Sequence, residues 1–283
     1  MRKGKFPALF LAWLAFVGAL AAGLLLAPAA GRERHYYLGF DRNYYPGDAA
    51  LGQLRKTFSY AGYWLSPPPG AKSNSWSGKR ATVARHGFGF LLLFNGKLYR
   101  ELRAAGNARL AGRQDGTAAV KSARAEGFRR EALIFLDQEE GGVMLPEQLA
   151  YIEAWSEAVR KGGYAPGIYC SGMPVAQKDA AAVTTAADLQ AKLGTRIKIW
   201  VANDECPPSP GCSYEKVPAP SASGTENALV WQFAQSPRRR QFTEACAASY
   251  ATDGRCYAPG MAHGEDSFVD LNTSSSPDPS KGR

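Results

Sequence analysis

The chain has 283 residues, 45% of them hydrophobic and 21% charged. That balance is ordinary for a globular protein, and the length suits one large α/β domain or two small ones. The net charge is +9; residues 1–30 hold Arg2, Lys3 and Lys5 and no acid, so residues 31–283 keep 31 basic against 25 acidic side chains, or +6. This mild excess favours anionic surroundings such as nucleic acid, an acidic polysaccharide or a cell wall. There is no dense Lys/Arg helix. Arg238-Arg239-Arg240 reads as a solvated loop, and no nucleic-acid partner is expected.

Residues 1–30 read as a targeting segment. Arg2, Lys3 and Lys5 form a basic n-region, residues 6–27 are almost wholly apolar, and Ala27-Pro28-Ala29 resembles a small-residue cleavage site. The apolar run is long enough to span a bilayer, so an uncleaved anchor through residues 6–27 is the alternative. Either way the rest of the chain is expected outside the cytoplasm, membrane-bound only if the segment is retained.

Strand and helix signals then alternate. Strands are expected over 36–41, ending in Asp41, over 58–65, and over 87–94, where Leu91-Leu92-Leu93 is continuous enough to be buried on both faces. A helix is expected over 115–126, stopped by Gly127. Ala132-Leu133-Ile134-Phe135-Leu136 is the next strand and runs into Asp137-Gln138-Glu139-Glu140. Regular alternation would put Asp137 and Glu139 on one face, roughly 6–7 Å apart, and turn Glu140 away. The segment 146–161 is the clearest helix, with Pro at its first turn, Leu149, Ile152, Trp155 and Val159 on one face, and Gly162-Gly163 at its end. Further strands are expected over 165–170, 196–202, 228–234 and 267–271, and a helix over 186–193. The tail 273–283 is Ser/Pro-rich and reads as disordered. Eight strands with intervening helices indicate a single irregular (β/α)8 TIM-type barrel over 36–272, α/β in class, with some helices replaced by long loops.

Five cysteines agree with export. Two local disulfides, Cys206 with Cys212 and Cys246 with Cys256, are the simplest pairing, although four cysteines allow three connectivities. Cys170 is left over as a buried thiol. No C-x-x-C spacing and few histidines argue against a zinc site, and no metal or cofactor is expected.

Six segments occur in a telling order. They are Gly39-Phe40-Asp41, Phe135-Leu136-Asp137-Gln138-Glu139, Gly167-Ile168-Tyr169, Ile199-Trp200-Val201-Ala202, Val230-Trp231-Gln232-Phe233 and Val269-Asp270-Leu271-Asn272. Together they resemble the strand ends of the glycoside hydrolase family 25 lysozymes. They are more similar still to the exported glycoside hydrolase-like barrels related to them, which the run Gly162-Gly163-Tyr164-Ala165-Pro166-Gly167-Ile168-Tyr169 fits especially well. The resemblance spans roughly residues 37–272. It implies a barrel that takes peptidoglycan or a related N-acetylated, β-1,4-linked glycan; a monomer is expected.

By that resemblance Asp41 matches the acid of the first strand, Asp137 and Glu139 the Asp-x-Glu pair of the fourth, and Asp270 the acid of the last. Glycosidic cleavage needs a protonated acid at the leaving oxygen and a second carboxylate supporting positive charge at the sugar. Glu139 is the expected general acid, its pKa raised by Asp137, Asp41 and Asp270. Asp137 is expected to stay ionised and to orient the 2-acetamido group or a water. Asp41 and Asp270 would position substrate; structurally, Asp41 could instead hold loop backbone, and Asp270 could pair with Arg42. Tyr169, Trp200 and Trp231 sit near strand ends and are candidates for sugar stacking, with core packing as the alternative. Trp64 and Trp76 flank the Pro-rich loop after the second strand as a candidate cleft wall. Gln232 could bind sugar or satisfy backbone inside the barrel. Two functional classes follow: a glycosidase, or a non-catalytic exported barrel that binds glycan through the same cleft. Metal-dependent phosphodiester chemistry is disfavoured by the lack of a His-rich first strand.

Overall fold

The computed structural model describes residues 35–283 except 179, 195–196 and 265–266. The targeting segment expected over 1–30 lies outside the described residues. Among those described, no helix is long and apolar enough to cross a membrane.

In chain order the elements are β1 (Tyr37–Asp41), α1 (Asp48–Leu54), β2 (Tyr60–Trp64), α2 (Arg80–Arg85), β3 (Gly89–Asn95), α3 (Tyr99–Ala105) and α4 (Ala108–Ala125). Then come β4 (Leu133–Asp137), α5 (Pro146–Lys161), β5 (Ala165–Ser171), the short pair β6 (Val175–Gln177) and β7 (Ala180–Val183), and α6 (Thr185–Leu193). The chain ends with β8 (Lys198–Ala202), β9 (Ala228–Ala234), α7 (Arg240–Thr243) and β10 (Asp270–Ser274). Eight strands close into a barrel in the order β1-β10-β9-β8-β5-β4-β3-β2, with β6 and β7 paired separately. This is the irregular TIM-type barrel expected from the alternating pattern. Seven strands run parallel, and β10 is antiparallel to both its neighbours.

The reversal of β10 has a local cause. A parallel return needs a crossover that carries the chain back along the barrel, usually a helix. Between β9 and β10 the helical structure among the described residues is the four-residue α7 and a 3-10 turn at Glu244–Ser249. It stays at the end where the parallel strands finish, so β10 must start there and run down. Its first residue, Asp270, consequently stands opposite Asp41 across the β1–β10 ladder.

Burial explains the strands. All five residues of β2 and of β4 are buried, as are the first six of β3. Inside the barrel the Tyr60 ring lies where a side chain at position 39 would point, so Gly39 is required by close approach. Outside, α4 and α5 approach closely because Gly112 and Gly116 face the α5 backbone at Tyr151 and Trp155. The first turns of α4 bury only Ala108, Ala111 and Gly112, and Asn107 caps them by accepting a hydrogen bond from Leu110 N at 2.9 Å. Small residues carry little hydrophobic signal, which is why the helix expected over 115–126 begins at Ala108.

Two expectations are corrected. The tail 273–283 is not disordered. Thr273 and Ser274 complete β10, and the rest packs across the N-terminal ends of β3 and β4. Asp278 Oδ1 accepts from Phe90 N at 2.8 Å and Ser280 Oγ from Leu92 N at 2.9 Å, while Ser280 O accepts from Leu133 N at 2.9 Å. Polar atoms that read as a disorder signal satisfy strand backbone there. The disulfides are not local either: Cys206 joins Cys246 and Cys212 joins Cys256. Cys206 N donates to Phe242 O and Cys212 N to Ser249 Oγ, so each cysteine of the first loop is already held against the opposite segment. Cys170 is a buried free thiol, its pKa pushed up to about 12 by burial.

Candidate active site

The C-terminal ends of the parallel strands carry the candidate site. Asp41 ends β1, Asp137 ends β4, and Asp270 begins β10 at the same mouth. Glu139 lies two residues beyond β4, open to solvent, whereas Asp41 and Asp137 are 7% and 3% exposed. The fold therefore brings all four sequence-predicted acids to one end.

Gln232 on β9 ties four of the surrounding groups together. Its Nε2 donates to Asp41 Oδ1 at 2.9 Å and to Asp270 Oδ2 at 3.4 Å. Its Oε1 accepts from Tyr169 OH at 2.7 Å and from Gln235 Nε2 at 2.8 Å. Asn272 Nδ2 also donates to Asp41 Oδ1, and Ser236 N donates to Asp270 Oδ1 at 2.6 Å. Asp137 differs, since its buried Oδ1 has no protein partner among the described residues.

Burial is the leading cause of every carboxyl shift here. It raises Asp137 well above the usual range, with the Glu139 and Asp41 charges adding. It raises Asp270 well above that range, with Asp41 adding and the Ser236 N–H opposing. Asp41 is raised by burial against the hydrogen bonds from Asn272 and Gln232. Glu139 is raised by the protein around it, lowered by Arg239, and raised by Asp41. These groups act on one another and titrate as a set. Both members of the Asp-x-Glu pair are raised, the deeper Asp137 more strongly than Glu139, where the Arg239 charge opposes the rise. Glu140 is turned away, as alternation implies, and its Oε2 accepts from Tyr99 N and Gln148 Nε2.

The aromatic candidates divide. Tyr169 stands in the acid network. Trp200 is fully buried inside the barrel, 4.8 Å from the Tyr169 ring and 5.7 Å from Phe135. Trp231 is fully buried beside Phe233, its Nε1 donating to Asn203 O. Trp64 and Trp76 are buried and both donate to Arg42 O. Sugar stacking on Trp200 and Trp231 is therefore corrected to packing, and the cleft wall expected of Trp64 and Trp76 is not formed by their buried rings. Gln232, itself buried, serves the carboxylates. Asp270 takes its hydrogen bonds from Ser236 and Gln232.

Grooves open on both sides of the acids. One of about 580 Å³ runs past Ser66, Pro67, Asn95, Lys97, Asp115 and Glu139, so the Pro-rich loop after β2 forms its wall. One of about 210 Å³ is bounded by Arg42, Tyr44, Ser236, Phe268 and Asp270. Among the described residues, no group of three or more His, Cys, Asp or Glu side chains is arranged to hold a metal ion.

Sequence reasoning missed Asn272, Gln235 and Arg239. Asn272 was legible, since it lies two positions from Asp270 and shares its face. Gln235 follows β9 and carried no pattern. Arg239, read within a solvated run, is instead half-buried on Asp204.

A family model described as Rv2525c-like, glycoside hydrolase-like domain matches residues 58–207. Three solved structures show the same fold. A B. stearothermophilus protein is 23% identical over 83% of this chain and 94% of its own, with a TM-score of 0.51. The Mycobacterium tuberculosis Tat-secreted protein Rv2525c, solved with L-tartrate, is 13% identical over 84% of this chain and 94% of its own, with a TM-score of 0.50. The Clostridium perfringens spore cortex lytic enzyme SleM is 16% identical over 85% of this chain and 68% of its own, with a TM-score of 0.50. No curated protein matches the chain in sequence.

Proposed function

The chain belongs to the Rv2525c-like glycoside hydrolase-like family, and from that premise we propose that it is an exported glycosidase acting on peptidoglycan or a related N-acetylated glycan. The observation that carries the reading is the convergence of Asp41, Asp137, Glu139 and Asp270 at one mouth, each with a raised pKa. A protein that only binds neutral sugar has no use for four crowded acids, whereas acid catalysis needs a carboxyl that holds its proton. The grooves flanking the acids suit an extended polymer, and a spore cortex lytic enzyme shares the fold. Two disulfides fit an oxidising compartment.

In this reading Glu139 protonates the leaving oxygen, because it is the member of the Asp-x-Glu pair that reaches solvent. Asp137 lies behind it with one oxygen unclaimed by the protein, which gives it the capacity to hold the 2-acetamido group or a water. Asp41 and Asp270, fixed by Gln232, shape the floor and keep protons in the set.

The test is release of new reducing ends from purified peptidoglycan by the full chain and by Glu139→Gln. The native chain is expected to release them, and the variant to bind glycan with turnover lowered about 10²–10⁴-fold. Undiminished turnover in Glu139→Gln would remove Glu139 as the acid. Binding without release by either protein would establish the non-catalytic barrel instead.

A further inference from the structure

Arg239 is the cation that acts on Glu139, and it is unusually well fixed for a loop arginine. Its Nη2 donates to Asp204 Oδ1 at 2.7 Å and its Nε to Asp204 Oδ2 at 3.3 Å. Asp204 is fully buried, while the arginine side chain is 35% exposed. The Phe242 ring lies 5.4 Å from the guanidinium carbon. Phe242 O accepts from Cys206 N, and Cys206 is bonded to Cys246, so the loops carrying Asp204 and Arg239 are tied together. One edge of the guanidinium is thus spent on Asp204. Its Nη1 has no hydrogen-bond partner among the described residues, and about a third of the side chain is open to solvent.

The segment leading to Arg239 crosses the mouth. Gln235 binds Tyr169 OH and Ser236 N binds Asp270. Arg239 in turn acts electrostatically on both Tyr169 and Glu139 without forming an ion pair to Glu139. A planar, permanently charged fork anchored on Asp204, two residues past the end of β8 at the mouth, is suited to a carboxylate on the substrate. A neutral glycan offers it only hydroxyl and amide oxygens, without the gain of a charge-assisted pair. Arg100 also lines the larger groove but is exposed, with no such anchor among the described residues.

We propose that Arg239 is a specificity-determining residue that binds a carboxylate carried by the glycan next to Glu139, so that the cleft selects acidic over neutral N-acetylated glycans. The inference rests on the glycan-cleft reading above but not on turnover. The shared chemistry is a sugar carboxylate, borne either on a lactyl ether or as a uronate.

Three soluble tetrasaccharides distinguish the cases: neutral chitotetraose, a muramyl tetrasaccharide with free lactyl carboxylates, and a hyaluronan tetrasaccharide with uronates. Binding to the full chain is measured by calorimetry, and reducing-end release is followed on the same probes. Arg239→Gln alone would strand a buried Asp204 carboxylate, so the main variant is Asp204→Asn/Arg239→Gln, with Arg239→Lys as a milder one and Arg100→Gln as control. The native chain and Arg100→Gln are expected to bind at least one acidic probe about tenfold more tightly than chitotetraose, the size of one charge-assisted hydrogen bond. The preferred acidic probe identifies the carboxylate source. The preference should vanish in the double variant and shrink in Arg239→Lys, while chitotetraose binding is unchanged. Equal affinity of the native chain for all three, a preference that survives the double variant, or one lost in Arg100→Gln would overturn the proposal. The expected preference without turnover would leave Arg239 in its role and overturn the glycosidase. Turnover without preference would do the reverse, and no binding of any probe would overturn both.

Discussion

Asp137 combines near-complete burial with a carboxylate oxygen that no protein group satisfies. Such a group costs stability when ionised. Its pKa is raised by burial first and by Glu139 and Asp41 after that. An acid raised in the fold binds its proton more tightly when native than when unfolded. Below the unfolded value of about 4 both states are protonated and no penalty exists; the penalty grows as pH climbs toward the folded value and is complete above it. Asp137→Asn should therefore melt with the native chain at pH 4 and above it at pH 7.5, by on the order of 1 kcal/mol or about 2–4 °C. Melting curves of both proteins across this range check the sign. A gain confined to acid pH would show that the carboxyl is stabilised as an anion. The same substitution should abolish glycan turnover, the trade expected where an active site stores unfavourable burial.

At the scale of elements, the tail closes the end of the barrel opposite the acids. Asp278 accepts from Phe90 N, Gly282 N and Arg283 N. Asp278→Ala leaves the Phe90 N–H without its partner and is expected to cost about 1–3 kcal/mol. Turnover per folded molecule should stay unchanged, because the strands separate the tail from the mouth. A variant with native stability and lowered turnover would place the effect of Asp278 at the wrong end. This element also marks what the sequence reveals. The bounds of α5 and β9 are legible because Pro146 and Gly162-Gly163 punctuate the helix, and Leu229-Val230-Trp231 is a dense apolar run. Asp41, Asp137, Glu139 and Asp270 are legible because each follows or opens such a run. β10 is displaced from its expected 267–271 because Asn272-Thr273-Ser274 is polar yet buried. The short helices α1, α2 and α3 bury two, one and one residues respectively, too few for a period to register. Disulfide partners and the Arg239–Asp204 pair depend on how two loops meet over the mouth, and no local pattern encodes that.

The whole molecule divides into a barrel that fixes the acids and a disulfide-tied cap that fixes the arginine. Asp41, Asp137 and Asp270 belong to strands whose ladders do not depend on the disulfides. Arg239 sits on the cap, joined to the Asp204 loop through Cys206–Cys246 across 40 residues of sequence. In the loop-closure view a cross-link of that span stabilises by about 4 kcal/mol. Cys206→Ser/Cys246→Ser should thus melt lower by roughly 10 °C. The cap should loosen more than the barrel, because local opening follows the elements with the fewest remaining ties. Below its own melting point, this variant is expected to keep its affinity for chitotetraose while losing most of the preference for acidic tetrasaccharides. A parallel loss of affinity for neutral and acidic probes would mean that barrel and cap unfold as one unit. A lowered melting point with the preference intact would mean that Asp204 and Phe242 hold Arg239 without the cross-link.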